Sequence, residues 1–276
     1  MKFYQCFEVS AKDIPDNIFS GLLAMSTGSL IKGSFNTCIK IEATASDGAK
    51  PKLIEQAIAY CEKNGISWSE RGLFRHYRYE IHRNYELQDL TSAKLLHLSR
   101  GNLIQLKSER DEQGRLLMDA SKARAGRKIG RIEPNWIIIP ESVRKIIADG
   151  NFKGLEFGEV ALRGTSARAS TEPFWELKSS LTLPKIANTD RFVSVNSVPF
   201  DGDYTKMVWI KDPPYRSGEI HYRERDLKAL GEFDVARTLE KYKEPHPALV
   251  VSQRFFQHCL KNKIPLAVEP VRIDTE

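Results

Sequence analysis

Two stretches of this chain, 112 residues apart, repeat one hydrophobic pattern. Residues 134–157 and 246–269 align without a gap, and the apolar run at 137–139 falls on the run at 249–251. Beyond these runs, Pro140 falls on Ser252, Val143 on Phe255, Ile147 on Cys259 and Phe152 on Ile264. A continuous apolar run followed by apolar residues at helical spacing predicts a buried strand, a capped amphipathic helix, a turn and a second strand. We expect this unit to occur twice and its two copies to superpose.

Neither copy carries a nucleophile, a metal-binding cluster or a phosphate-binding loop. The chain has 276 residues, 41% hydrophobic and 28% charged, which is typical of one large globular domain or two small ones. No run approaches the roughly 18 apolar residues of a transmembrane helix, and we expect no signal peptide. Cys6, Cys38, Cys61 and Cys259 share no metal-ligand spacing, so we expect reduced, mostly buried thiols in the cytoplasm.

The formal net charge is +6, and five cations occur together in one short run without acids. They are Lys122, Arg124, Arg127, Lys128 and Arg131. The run is either a solvated basic loop or a contact surface for an acidic partner or for phosphate. No aromatic residue is interleaved with these cations, which disfavours a surface for single-stranded nucleic acid.

The fold class predicted from these patterns is α+β, with mainly antiparallel sheets. Strands are predicted at 1–10, 36–43, 77–85, 136–139, 154–162 and 174–182, with helices at 51–63, 140–149 and 226–241. A short helix or turn at 89–92 leads into a strand, and a hairpin joins 102–107 to 115–118. The long stretch 184–225 has no regular pattern and is typical of a functional loop region. We predict three regions, at 1–88, 89–183 and 184–276.

Candidate chemistry is confined to a few isolated patterns. Glu176-Leu-Lys178 on a predicted strand has the Glu-x-Lys form of many metal-dependent nucleases, in which the acid binds a metal and the lysine orients water. Such a site also needs an upstream acid, for which Glu159 or Glu156 is available. The alternative is the polar face of an alternating strand.

Two further groups of polar residues could also support chemistry. His76 and His82 could face one side of a strand, but they lack a third metal ligand, so hydrogen-bonded or solvated histidines are the simpler interpretation. The 200–220 loop contains several carboxylates that no pattern places on a common face: Asp201, Asp203, Asp212 and Glu219. Loop solubility accounts for them, and we predict neither a catalytic residue nor a metal or cofactor site.

Several phrases together resemble the immunity proteins of bacterial polymorphic-toxin systems, in particular the family typified by the double-CXXCG proteins of myxobacteria. The phrases are Asp89-Leu90 with Leu95-Leu96-His97-Leu98, Trp136 to Pro140, Gly154-Leu155-Glu156-Phe157, Trp175-Glu176-Leu177, and Val250 to Phe255 with Glu269-Pro270-Val271. The resemblance covers residues 89–182 and 247–272. Where the family carries cysteine pairs, this hairpin reads Ser-Glu-Arg-Asp-Glu-Gln-Gly, so the resemblance implies an immunity-like fold without a thiolate-bound zinc.

The resemblance implies a cytoplasmic, non-enzymatic protein that binds and neutralises a cognate toxin through a protein–protein interface. Because the chain is basic, we expect an acidic protein as partner rather than a nuclease toxin. We expect no membrane partner, and nucleic acid is not the expected partner. The alternative function is a nucleic-acid-binding protein or a nuclease that uses Glu176 and Lys178. Aromatic and arginine side chains most often anchor interfaces. The predicted interface therefore comprises Tyr204, Trp209, Tyr215, Arg216, Tyr222 and Arg223, together with Lys122, Arg124, Arg127 and Lys128.

Overall fold

The computed structural model of this chain forms two compact units. The structure describes residues 2–10, 14–25, 30–32, 37–45, 52–66, 77–98, 103–105, 109–124, 126, 128–132, 136–166, 170–187, 192–194, 207–210, 219–242 and 246–275. Unit 1 comprises Met1–Glu86 with Lys211–Gly218, and unit 2 comprises Leu87–Ile210 with Glu219–Glu276. The predicted boundary after residue 88 lies two residues from this division, whereas the predicted regions 89–183 and 184–276 fall largely within unit 2.

Unit 1 is an antiparallel sheet with two helices. Its elements are β1 (Lys2–Ser10), α1 (Asp16–Met25), β2 (Leu30–Lys32), β3 (Thr37–Ala45), α2 (Lys52–Lys63) and β4 (Tyr77–Asn84). The strand order is β2-β3-β1-β4. On α2, the residues Ile54, Ala57 and Cys61 recur at helical spacing and are buried, so one face of the helix joins the core of the unit. The predicted strands and helix of this region are confirmed.

Unit 2 contains the remaining α-helices and strands of the described residues. In chain order they are α3 (Leu87–Ser92), β5 (Leu95–Leu98), β6 (Leu103–Gln105), β7 (Glu109–Arg110), β8 (Leu116–Asp119), β9 (Gly130–Ile132), β10 (Trp136–Pro140), α4 (Glu141–Ala148), β11 (Leu155–Arg163), β12 (Phe174–Ser179), β13 (Phe192–Ser194), β14 (Met207–Ile210), β15 (His221–Arg223), α5 (Glu224–Leu230), β16 (Val235–Arg237), β17 (Lys241–Tyr242), β18 (Leu249–Ser252), α6 (Gln253–Lys261) and β19 (Val268–Asp274).

Two curled sheets make up most of unit 2. The seven-stranded sheet has the order β6-β9-β10-β12-β11-β8-β7, and the five-stranded sheet has the order β15-β19-β5-β18-β16. The α+β class is therefore confirmed, and most strand pairs are antiparallel as predicted, although both sheets are mixed rather than purely antiparallel. The pairs β8/β11, β6/β9 and β15/β19 are parallel.

Both sheets are curled, and in each of them hydrogen bonds connect strands that lie at or next to opposite edges. In the seven-stranded sheet, the side-chain amide of Gln105 on β6 donates to Leu117 O of β8 (3.3 Å) and accepts from Asp119 N (2.9 Å). In the five-stranded sheet, the segment 181–187 bonds to Arg237 on β16 and, through Ala187 N, to His221 O on β15 (2.7 Å). The closed edges leave fewer unpaired backbone groups.

Two predicted elements of unit 2 need correction. The hairpin exists, but its arms are β7 and β8, because Asp111 Oδ1 accepts from Gln113 N and Arg115 N and closes a tight turn directly after β7. The predicted helix at 226–241 is only α5, which ends at Gly231 (φ 79°); the chain then forms β16 and β17. The stretch 184–225 also contains the strands β13, β14 and β15.

The repeated unit predicted from the sequence is confirmed, since β10-α4-β11 and β18-α6-β19 are both strand–helix–strand. The turn after each helix shows the correspondence most directly. Asn151 (φ 46°) and Lys263 (φ 54°) have positive φ and are 112 residues apart, which is the spacing of the two copies. Asn151 N donates to Ala148 O and Lys263 N to Leu260 O, each at 3.0 Å.

The correspondence extends to five strands in each sheet. The order β9-β10-β12-β11-β8 matches β16-β18-β5-β19-β15, with three antiparallel pairs followed by one parallel pair in both. The central strand of the first sheet, β12, follows β11 in the chain. The central strand of the second sheet, β5, instead precedes the first copy. If unit 2 is divided between β11 and β12, the first half therefore contains β5 and the second half contains β12, so each sheet takes its central strand from the other half.

One hydrophobic core joins the two copies. It receives side chains from both sheets and from both repeat helices. Its buried residues are Leu96, Leu98, Ile137, Ile139, Val143, Ile147, Phe152, Leu177, Val235, Val251, Phe255, Phe256, Cys259 and Ile264. The face of each sheet that is turned away from this shared core, called its outer face below, holds a smaller core. The polar sites described below lie on and beside these outer faces.

Candidate functional site

Glu176 lies on the outer face of the seven-stranded sheet and is neutralised by cations. Its side chain is only 1% exposed. The Arg110 guanidinium binds both carboxylate oxygens, with Nη1 to Oε2 at 3.1 Å and Nη2 to Oε1 at 3.0 Å. Lys178 Nζ lies 3.7 Å from Oε2. Such a bidentate, charge-assisted pair fixes the carboxylate, occupies one lone pair on each of its oxygens and neutralises its charge.

Strand register explains why Lys178 reaches Glu176. On β11, Gly158 stands opposite Glu176 and Glu156 stands opposite Lys178. A Cβ atom at Gly158 would lie 2.9 Å from Lys178 Cε, so the missing side chain gives the lysine room to lie across the strand. Glu159, the second candidate for the upstream acid of a nuclease site, is on the opposite face of β11. Its Oε2 lies 3.9 Å from Arg115 Nη1.

Arg110 in turn packs on the ring of Trp136, which also contacts His246. Its guanidinium lies 4.4 Å from the centre of the Trp136 ring, a cation–π contact. On the same tryptophan, the His246 ring is 4.3 Å away between centroids. Burial lowers the pKa of His246, and the nearby Lys241 and Arg110 lower it further against the opposing effect of Glu176. The imidazole is therefore neutral at pH 7, and it packs on the tryptophan at an interplanar angle of 44° without adding charge.

Neither a metal-binding cluster nor a reactive cysteine is found among the described residues. In the ranges that the structure describes, no group of three or more His, Cys, Asp or Glu side chains could hold a metal ion. Cys61 and Cys259 are buried free thiols, and burial raises their pKa to about 11 and about 12. These two cysteines are therefore protonated at neutral pH and poor nucleophiles.

A second polar site is organised by Asp234, just before β16. Its carboxylate accepts from Ser252 Oγ (2.7 Å), Lys153 N (3.0 Å) and Arg254 Nε (2.9 Å), and also from Arg254 Nη2. Burial opposes ionisation of Asp234, but these donors outweigh it, so the pKa of this carboxyl lies below its usual value. Arg254 also donates to Gly150 O (3.0 Å) and ties the two copies together.

A cavity of about 860 Å³ opens beside this network, within unit 2. Its lining combines apolar side chains from β5, α5, the connection between α5 and β16, and β19 with seven charged side chains. The charged residues are Lys94, Lys153, Lys228, Arg254, Glu224, Glu232 and Asp234. Glu224 lies between two lysines, 3.6 Å from Lys94 Nζ and 3.2 Å from Lys228 Nζ.

The predicted interface residues that the structure describes differ in their exposure to solvent. Tyr222 is 0% exposed and belongs to the core under the segment 181–187, so it does not offer the accessible anchor that we expected. The alternation of β15 explains this, since Tyr222 faces the core and its neighbour Arg223 is half-buried. Lys122, Arg124 and Lys128 are exposed. Lys128 Nζ donates to Lys263 O (2.9 Å) beyond the end of α6.

Other predicted residues fall outside what the structure describes. These are Tyr204, Tyr215, Arg216 and Arg127, together with His76, Asp201, Asp203 and Asp212. For Trp209 only its place in β14 is described. No local pattern in the sequence predicted the Asp234 network, because its members come from positions near 153, 234 and 254. The N-cap Ser252 was the one local signal, and it indicates a helix start rather than a site.

Comparisons with family models, with curated proteins and with solved structures return no match. Among the residues that the structure describes, no helix is both long and apolar enough to cross a membrane.

Proposed function

We propose that this chain is a non-catalytic protein of the immunity type, which binds a cognate bacterial toxin in the cytoplasm and neutralises it through a protein–protein interface. The observation that carries the proposal is the state of Glu176. This residue belongs to the Glu-x-Lys pattern on which the nuclease alternative depends, yet Arg110 and Lys178 bind its buried carboxylate. A carboxylate held in this way is poorly available to a metal ion or a substrate.

The construction of unit 2 also favours a binding role. A binding protein needs a rigid surface of fixed shape, because ordering flexible side chains and loops weakens association. The shared core, the closed sheet edges and the Asp234–Arg254 network all make unit 2 rigid. The net charge of +6 supports an acidic toxin as partner, since opposite charge accelerates encounter.

Co-expression and binding with the product of the adjacent gene would test the proposal. We expect the chain to protect cells from that protein and to bind it in a pull-down with purified components. The purified chain should not cleave DNA or RNA with Mg²⁺ or Mn²⁺. Absence of both protection and binding would contradict the proposal.

The nuclease alternative predicts a different result. It requires cleavage that is lost in both Glu176→Ala and Lys178→Ala. Lys178 is 39% exposed, so its variant should fold even if the Glu176 variant does not. Cleavage that disappears in Lys178→Ala while the melting temperature is unchanged would replace the immunity proposal with the nuclease one.

A further inference from the structure

We infer that the cavity between α5 and α6 is a docking site for an acidic segment of a partner protein. This inference rests on the proposed function, because it names the surface that such a partner would use. It replaces part of the predicted interface, since Tyr222 is buried.

Charge is distributed unequally between the mouth and the floor of the cavity. The side chains of Lys94 and Lys228 are 73% and 72% exposed, and that of Arg254 is 56% exposed. The carboxylates they contact are recessed, with Glu224 32% and Asp234 10% exposed. An approaching molecule therefore meets ammonium and guanidinium groups first, with Glu232 the exposed exception.

The recessed carboxylates hold the cations in position and do not fully neutralise the positive charge of the cavity. Glu224 holds Lys94 and Lys228 on one side of the cavity, and Lys228 lowers the pKa of Glu224 so that it stays ionised. Asp234 holds Arg254 on the other side, while the Lys153 side chain is exposed. Four cations against three carboxylates leave one net positive charge in the lining. Groups positioned in this way bind an anion at a lower entropic cost.

The apolar part of the lining indicates a peptide rather than a simple anion. Leu95 and Leu227 are buried in the floor, while Phe233 and Ile273 are half-buried and reach its surface. A segment with carboxylates on both sides of one apolar side chain would match this lining. The carboxylates would pair with the lysines at the mouth, and the apolar side chain would cover Phe233 and Ile273.

The first experiment measures the site without any natural partner. The probe is a fluorescein-labelled synthetic peptide with a central leucine flanked by glutamates, and its reversed-charge counterpart carries lysines. Anisotropy should show binding of the acidic peptide only, weakening with salt. The triple variant Lys94→Gln, Lys153→Gln and Lys228→Gln should bind at least ~10-fold more weakly, since charge-assisted contacts are lost. Glutamine retains much of each side-chain stem and avoids like charges beside Glu224.

A matched control carries the same change in net charge outside the cavity. It replaces the exposed Lys52, Lys63 and Lys145 by glutamine. We expect this control to change peptide binding by less than about 2-fold, because only screened, long-range charge is lost. Equal weakening in the two triple variants, or equal binding of the two peptides, would overturn the inference.

The second experiment uses the product of the adjacent gene and separates the two proposals. Binding that weakens only in the cavity variant supports both of them. If the cavity variant binds the gene product as tightly as the parent does, the docking site is overturned and the immunity function is unaffected. Cavity-specific binding of the acidic peptide, together with no binding or protection against the gene product, supports the docking site and rejects the immunity function.

Discussion

The ion pair between Arg110 and Glu176 should respond unequally to loss of its two members. Arg110→Ala leaves a buried carboxylate with only Lys178 nearby, so we expect the free energy of unfolding to fall by about 3 kcal/mol. Glu176→Gln leaves a partly exposed guanidinium that water can solvate, and we expect a loss of about 1–2 kcal/mol. Urea denaturation measures both.

The exposed ion pair of Arg163 with Glu109 and Asp119 supplies the control. Arg163→Ala should cost less than about 1 kcal/mol, since exposed pairs contribute little. If Arg110→Ala were as mild as Arg163→Ala, the Glu176 carboxylate would not depend on its arginine.

Glu240 should make stability depend on pH in the direction opposite to most acids. It is 0% exposed, and Oε1 accepts from Ile186 N at 2.9 Å. Burial raises its pKa above the ordinary 4.5, against the opposing effects of that N–H group and Lys185. The folded state therefore holds the proton more tightly than the unfolded chain. Its stabilising contribution is full below the ordinary pKa and is lost as pH rises through the folded pKa.

Replacement by glutamine tests this sign. Glu240→Gln retains the Oε1 acceptor and cannot ionise, so the fall in unfolding free energy between about pH 5 and about pH 8 should become smaller. The exposed Glu232→Gln should leave that fall unchanged. A steeper fall in Glu240→Gln, measured by urea denaturation at both pH values, would refute the buried-acid interpretation.

The strand β5 is the element on which the second sheet depends. It pairs with β18 on one side and β19 on the other, and Leu96 is 0% exposed in the shared core. Leu96→Ala should cost about 2–5 kcal/mol through lost burial and a cavity. Hydrogen exchange should then accelerate in β18 and β19, far away in sequence. The control Leu87→Ala, at a site that is 57% exposed, should change neither the free energy of unfolding nor the exchange rates. If exchange in Leu96→Ala accelerated only within β5, the second sheet would not depend on this strand.

The elements that the sequence predicted well are those whose pattern is local. The apolar runs of β10 and β18 and the helical spacing on α2, α4 and α6 depend on residues within a few positions of each other. The partners of β5 could not be found in this way, because Leu96 pairs with Val251. The same limit applies to the site: Glu176 was recognised from its neighbour Lys178, but its main partner Arg110 is 66 positions away.

The two copies in unit 2 exchange their central strands. A cut between β11 and β12 would leave β5 with the first copy and β12 with the second. Each fragment would then supply the central strand of the sheet formed mainly by the other. Since a central strand pairs along both of its edges, we expect this exchange to hold the fragments together more firmly than contact between two separate sheets. It also explains how one repeated sequence pattern can yield a single shared core rather than two independent domains.

A cleavable version of the chain tests this exchange. A protease site inserted at 167–169, between β11 and β12, should give two bands on a denaturing gel but a single particle by size-exclusion chromatography. The variant Leu96→Ala with Leu177→Ala weakens both exchanged strands, because each side chain is buried in the shared core. After cleavage, it should separate into fragments at a lower urea concentration than the cleaved parent. If the double variant separated at the same concentration as the parent, the fragments would be held by other contacts and the exchange would contribute nothing to their association.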